Sequence, residues 1–297
     1  MTSVLYDIPG PKAKARNWLY AGLFVIALAA GIWWILDAMN DKDQLDWDKW
    51  EPYLAKSGTW ETYLLPGLLN TLKAAAVSIV IALPIGAVLG IARLSDHVWI
   101  RVPASIIVEF FRAIPVLILM LFANAAYDVF GNFDFETRVL YAVVTGLVLY
   151  NGSVLAEVVR AGILSLPKGQ SEAALAVGMR KGQLMNYVLL PQAVTAMLPA
   201  IVSQLVVIVK DTAIGGAVLG YGELIAAARP SYSFYNNVIA TLVVIAVLFI
   251  ALNYLLTSFA NWLEKYLRQR KRGSTAVVAP DMVEEQAPGM HMGGGVH

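Results

Sequence analysis

Ionisable side chains set within long apolar runs carry most of the chemical potential of this sequence. Glu109 and Arg112 stand three residues apart in VEFFRAIP, and Glu157 and Arg160 repeat that spacing in AEVVRAG. Lys210, Asp211 and Thr212 end another apolar run, and Glu223 lies in a glycine-interrupted stretch beyond it. A charge facing hydrocarbon is costly, so charges at such positions serve a substrate path, a gate or one another. Residues i and i+3 share a helix face, which lets each Glu–Arg pair neutralise itself. The other use of such a guanidinium is attraction of a substrate carboxylate. The chain has no cysteine, so thiol and disulfide chemistry are excluded, and no histidine falls in an apolar run. No G-x-x-x-x-G-K-[ST] segment occurs either, so the chain has no phosphate loop of its own for ATP.

The elements that must hold these charges are membrane spans. The 297 residues are 58% hydrophobic and only 14% charged, against about 25% charged in soluble domains. Mean hydropathy is +0.63. A span needs about 20 mostly apolar residues, and six stretches qualify: 18–36, 68–92, 103–127, 139–159, 191–209 and 238–263. The expected fold is an all-α polytopic membrane protein with six transmembrane helices. The first run follows Lys12, Lys14 and Arg16 but is longer than the roughly 7–15 residues of a signal core, and no small-residue cleavage site follows, so it reads as retained. A net charge of +1 offers no basic field for nucleic acid.

Orientation follows from the Lys/Arg bias of the connections. With the N-terminus cytoplasmic, Lys12, Lys14, Arg16, Arg93, Arg101, Arg160, Lys168, Arg180, Lys181, Lys265, Arg268, Arg270, Lys271 and Arg272 all fall inside. Only Lys42, Lys49, Lys56, Arg138, Lys210 and Arg229 fall outside, and Lys73 and Arg112 lie within spans. Both termini are therefore expected in the cytoplasm. The first outer loop is acidic, and its Trp47, Trp50 and Trp60 suit either a helix at the membrane interface or a solvated loop with aromatic anchors. The mixed composition of 273–297 predicts a disordered cytoplasmic tail, with His291 and His297 too sparse for a metal site.

Simple lengths place the charges. Arg112 lies nine residues past Pro103, about 14 Å along a helix and near mid-membrane. Glu157 falls toward the inner end of the fourth span, where Arg160 can satisfy it. Lys73 can snorkel outward from the second span. Lys210 and Asp211 fall close to the outer face. The apolar TAIGGAVLGYGELIAAA after them is interrupted by Gly215, Gly216, Gly220 and Gly222. It suits a broken or re-entrant segment, or else a short interfacial helix. Gly86 and Gly90 have the spacing that lets helices of neighbouring subunits approach closely.

The longest cytoplasmic connection reads RAGILSLPKGQSEAALAVGMRKGQLMNYVLLPQA. Its Ala-rich 171–177 favours helix, Gly178 is a natural terminator, and a second short helix over about 181–187 leads to Pro191 at the start of the fifth span. Glu172 in such a helix either stabilises its own first turn or docks a partner.

The order Glu172-Ala173-Ala174, three residues, Gly178, nine residues, then Val188-x-Leu190-Pro191 resembles the EAA loop of ATP-binding-cassette importer permeases. Glu109-Phe110-Phe111-Arg112 before Pro115 resembles the third-span motif of the polar-amino-acid branch. Glu157 and Arg160, Gly169-Gln170, Pro191-Gln192-Ala193, Lys210-Asp211-Thr212 and LPGLLNTLKAA at 65–75 are similar to that branch too. The likeness covers about 62–265. Two departures, Ala113-Ile114 in place of the usual Gly-Thr and Ala213 in place of Ser, bear on fine specificity.

The resemblance implies a five-helix permease core over 64–267 with its coupling loop at 161–190. Ahead of the core come a cytoplasmic segment (1–17), an additional span (18–38) and an extracytoplasmic interfacial loop (39–63). It implies residence in the bacterial cell membrane and three partners: an ATPase dimer that binds ATP and Mg, a second permease subunit (identical or homologous), and an extracytoplasmic solute-binding protein. The chain itself would be a transport subunit with no cofactor and no catalytic residue. Glu172, Ala173, Ala174, Gly178, Arg180, Leu190 and Pro191 would couple to the ATPase. Glu109, Arg112, Glu157, Lys210, Asp211, Thr212 and Glu223 would line the substrate path or its gate. The opening LYDIPGPKAKAR looks like the glutamate-uptake permeases of actinobacteria, which implies glutamate, with glutamine or another polar amino acid left open. A stand-alone ion-coupled transporter would also carry paired intramembrane charges but needs no docking loop. An intramembrane enzyme would need a nucleophile–base pair or metal cluster that the spans lack.

Overall fold

A computed structural model of the chain describes residues 10–272. Every regular element among them is helical. In chain order they are α1 (Pro11–Asn40), α2 (Trp47–Leu54), α3 (Ser57–Ala92), α4 (Val98–Ala113), α5 (Val116–Phe130), α6 (Phe135–Leu164), α7 (Lys168–Ala176), α8 (Lys181–Leu219), α9 (Ala228–Tyr235) and α10 (Val238–Arg272). Helices α1, α3, α6, α8 and the Val238–Trp262 part of α10 are long and apolar enough to cross a membrane, and α4 with α5 makes a sixth, bent candidate. The tail at 273–297, with His291 and His297, lies outside the described residues.

The third apolar stretch is not one straight helix. It breaks between α4 and α5 with a bend of 100°. Pro115 is the cause, because its ring disfavours helical backbone in the residue before it. Ile114 is accordingly extended (φ −92°, ψ 129°), and Pro115 itself caps α5. Arg112 therefore sits in the last turn of α4, not midway along a span. A cation there also faces the negative end of the helix dipole.

Two other prolines widen their helices instead of ending them. A π-helical turn runs over Trp60–Leu64 ahead of Pro66, and another over Leu184–Leu189 ahead of Pro191. A proline has no N–H to give and its ring collides with the carbonyl four residues back. The wider turn relieves this, with Leu65 N–H donating to Trp60 O and Leu190 N–H to Met185 O. The consequence corrects the expected layout: 181–187 is no separate helix, and Pro191 lies inside α8, not at its start. Helix α8 also runs on through Lys210, Asp211, Thr212, Gly215 and Gly216. Those residues are helical rather than part of an outer loop or a break, which comes only at Gly220 (φ +76°).

The chain divides into two compact units. In the first, Met1–Thr71 with Gly216–Phe249, α1 buries none of its residues. Being apolar all round, it needs lipid as its solvent. The unit's core joins Tyr53, Leu64, Leu224, Ala228, Ala240 and Ile245, with Trp50 and Trp60 packed on it. The Trp50 indole donates to Gln44 O (3.0 Å) and that of Trp60 to Tyr53 O (2.8 Å). These two tryptophans thus cover the core, whereas Trp47 is exposed. The Tyr53 hydroxyl lies 2.7 Å from Ser231 Oγ and 2.5 Å from Thr241 Oγ1, which ties α2 to α9 and α10.

The second unit, Leu72–Gly215 with Ile250–His297, is organised by α6, whose apolar window is 67% buried. Gly86 and Gly90 let α3 lie against it. A Cβ at Gly86 would stand 2.6 Å from Leu155 Cβ, and one at Gly90 2.6 Å from Ala156 O. The Gly86/Gly90 spacing thus serves helix packing within this chain.

Candidate functional site

Helix α7 is the projecting part of the connection between α6 and α8. Ala174 faces inward and joins Val159, Ile163, Leu184, Leu189, Ala193 and Met197 in one cluster, with Leu190 packed on it. Glu172 and Ala173 are exposed, as are Leu175 and Val177, the latter 79%. Glu172 makes no ion pair among the described residues. The helix ends by a Schellman motif: Met179 N–H donates to Ala174 O (3.1 Å) and Gly178 N–H to Leu175 O (3.0 Å). Gly178 takes φ +83° with open space around its Cα, so backbone sterics alone demand glycine there. Arg180 contributes its backbone N–H, which donates to Gln183 Oε1 at 2.9 Å. Gln192 Nε2 donates to Gln170 Oε1 (3.2 Å), linking α8 back to α7. Pro191 is exposed on α8.

Beside this loop Lys181 pairs with Asp96, and that hydrogen bond holds the Asp96 carboxyl below its ordinary range. A cavity of about 530 Å³ opens there, lined among others by Ile91, Leu94, His97, Ile100 and Met185.

The Glu–Arg motifs form one cluster with a member that spacing did not supply. Arg93, just past the end of α3, donates to Glu157 Oε2 at 2.6 Å and lies 3.3 Å from Glu109 Oε1. Arg160 reaches Glu157 Oε1 at 2.7 Å, as its i+3 spacing predicts. Arg112 does not pair with Glu109; its guanidinium lies 3.6 Å from Glu157 Oε2. Glu109 turns to Arg93 instead, because tertiary packing brings the end of α3 against α4. Glu157 is therefore a hub for three guanidiniums. Arg93 is its most buried partner, 9% exposed, and Arg112 the most exposed at 41%. Three arginines against two glutamates leave one positive charge in excess. Arg93 carried no signal in the sequence beyond its place after a span.

The remaining candidates stand apart from that cluster. Lys210 is exposed, Asp211 half-buried, and the buried Thr212 hydroxyl donates to Val209 O within its own helix (2.7 Å). No hydrogen bond or ion pair joins them to the arginines among the described residues. A further interhelical link that motifs did not reveal runs from Gln204 Nε2 to Asn151 Oδ1, at 2.5 Å. Glu223 belongs to the other unit, in the connection between α8 and α9, and is fully buried.

Residues 82–269 match the family model described as binding-protein-dependent transport system inner membrane component. The chain is 44% identical over 248 residues to the glutamate transport system permease protein GluD of Corynebacterium glutamicum, covering 83% of this chain and 90% of that protein. It is 33% identical over 210 residues to the arginine transport system permease protein ArtQ of Bacillus subtilis, covering 69% and 93%. Among solved structures it is similar to a chain of an amino acid ABC transporter determined with histidines. That likeness has a TM-score of 0.62 and 28% identity, over 68% of this chain and 92% of that one.

Proposed function

We propose, for a chain that belongs to the binding-protein-dependent transport system inner membrane component family, that its particular task is to carry glutamate through the membrane as the permease subunit of an ATP-driven importer. The observation that carries the substrate is the 44% identity to a glutamate permease over 83% of the chain. In this reading glutamate arrives from a solute-binding protein outside, and a separate ATPase dimer binds ATP and Mg inside. A second permease subunit, identical or homologous, completes the path. Both termini lie in the cytoplasm, as the Lys/Arg bias requires.

The coupling element is α7. Its inner face is anchored by Ala174 in an apolar cluster, and its outer face offers Glu172, Ala173, Leu175 and Val177. A short helix with one buried and one bare face transmits a push to α6 and α8 through packed side chains. The Glu157 hub then ties α6 to α4 and to the end of α3. Coupling here means a two-state arrangement that ATP on one side and loaded binding protein on the other both bias.

The test is uptake of labelled glutamate, glutamine, arginine and histidine in cells lacking this chain, complemented by the wild type or by Glu172→Lys. Loss of glutamate uptake alone, restored only by the wild type, supports substrate and coupling together. Loss of arginine uptake instead would make the substrate that of the ArtQ-like relatives. Normal transport by Glu172→Lys would refute the role given to α7.

A further inference from the structure

Glu223 is a buried carboxyl with one bare oxygen. Its side chain is fully enclosed, Oε1 accepts the Ala226 N–H at 2.9 Å, and Oε2 has no hydrogen-bond partner. The carboxyl presses against Gly216 so closely that a Cβ at that position would overlap Oε1. The connection around it is fastened to the first part of α3 by three bonds. Leu224 N–H donates to Thr71 Oγ1 (3.1 Å), Asn70 Nδ2 to Gly222 O (2.7 Å), and the Tyr221 hydroxyl to Asn70 O (2.9 Å). Gly67 has no side chain to keep Ala227 and Leu224 away. One end of the connection is Gly220, at φ +76°.

The groups facing Glu223 supply no positive charge. Around the carboxyl lie the Leu224, Ile225 and Ala226 amides of its own segment, the Thr71 side chain from α3 and Gly216 from the end of α8, and the Tyr221 hydroxyl is a titratable neighbour. An ionised carboxylate with a bare oxygen in such a seat would be heavily penalised, whereas a carboxylic acid carries its own hydrogen on that oxygen. We propose that Glu223 is a proton-binding site that latches the 220–227 connection onto α3: the neutral carboxyl is seated, and loss of its proton to solution releases the segment. Burial pushes the carboxyl up from 4.5 to about 7, in the same sense.

The sign follows from linkage. The seated state has the raised value, so its advantage is complete at low pH and is lost as pH rises toward 7. The released fraction then grows about twentyfold between pH 5.5 and 7.5 and levels off above.

Because the chain has no cysteine, Leu224→Cys places a single thiol at a fully buried site beside the carboxyl. In the assembled transporter, its labelling by a membrane-impermeant thiol reagent is followed across pH 5.5–8.5. Dividing each rate by that of the same cysteine in a Glu223→Gln background removes the thiol's own titration. The expected ratio rises about twentyfold from pH 5.5 to 7.5. Gly216→Ala, which removes the seat, is expected to label fast at every pH. A flat ratio, or slow labelling in Gly216→Ala, overturns the proposal. If the glutamine variant fails to assemble, Leu224→Cys alone decides: labelling that follows nothing but the free-thiol titration refutes the latch. Labelling does not require transport, so a wrong substrate assignment would leave this result standing.

Discussion

Glu157→Gln is the substitution whose cost the structure specifies best. It removes the carboxylate that three guanidiniums share and leaves Arg93, at 9% exposure, with only the 3.3 Å contact to Glu109. Breaking a fully buried ion pair costs about 3–5 kcal/mol. Glu157 is 26% exposed, which lowers the expectation to about 2–4 kcal/mol. The other two contacts add less. Arg160 is an i,i+3 partner that gives Glu157 Oε1 two hydrogen bonds (3.1 and 2.7 Å), and at 34% exposure it belongs at the top of the surface-pair range, about 1 kcal/mol. Arg112, at 3.6 Å and 41% exposed, belongs in the range of about 0–1 kcal/mol. The measurement is unfolding of the purified chain titrated with SDS in mixed micelles and followed by tryptophan fluorescence, as a double-mutant cycle. Glu157→Gln and Arg93→Gln should each cost more than Arg160→Gln, and their effects should fall well short of additive. The reasoning fails if Glu157→Gln changes stability by less than about 0.5 kcal/mol, or if Arg160→Gln costs as much as Arg93→Gln.

Two further substitutions isolate single causes. Gly178→Ala meets no atom within 4 Å, so only the left-handed backbone resists it, at about 1 kcal/mol; hydrogen exchange at the Met179 amide should speed up about fivefold, and an unchanged rate would show that the turn tolerates a side chain. Gly90→Ala drives a methyl into Ala156 O and Val159, a backbone collision expected to cost about 1–3 kcal/mol by SDS titration, whereas Gly169→Ala, in open space, should cost nothing measurable.

How far the sequence reached depends on which force fixed each feature. The spans were legible because apolar length is set by the bilayer, and the Glu157–Arg160 pair because helix periodicity dictates it. The Ala-rich helix and its Gly178 terminator were equally local signals. The same periodicity misled at Arg112, since Glu109 is drawn off by Arg93, 16 residues earlier in the chain. Nothing local announces such a contact. The bend at Pro115 was hidden because the residues on both sides are uniformly apolar, and hydropathy does not register backbone direction. Pro191 reads as a helix start, yet the π turn before it absorbs the missing N–H. Glu223 is legible only as a charge in a glycine-interrupted apolar stretch; its seat against Gly216 is a product of packing.

The unbroken helicity of α8 has a mechanical meaning. Its 39 residues span about 58 Å at the helical rise, with the α7–α8 connection at one end and Gly220 just past the other. A rod carries displacement by geometry and needs no relay of rearranging side chains. In a straight helix of that length, a tilt of about 5° would displace the far end by ~5 Å, roughly one helical turn. Arm length then sets the stroke, and any kink introduced along α8 shortens it. Pro199 and the π turn lie within α8 without ending it. Inserting a flexible Gly-Gly pair at mid-helix would leave both ends folded yet mechanically disconnected.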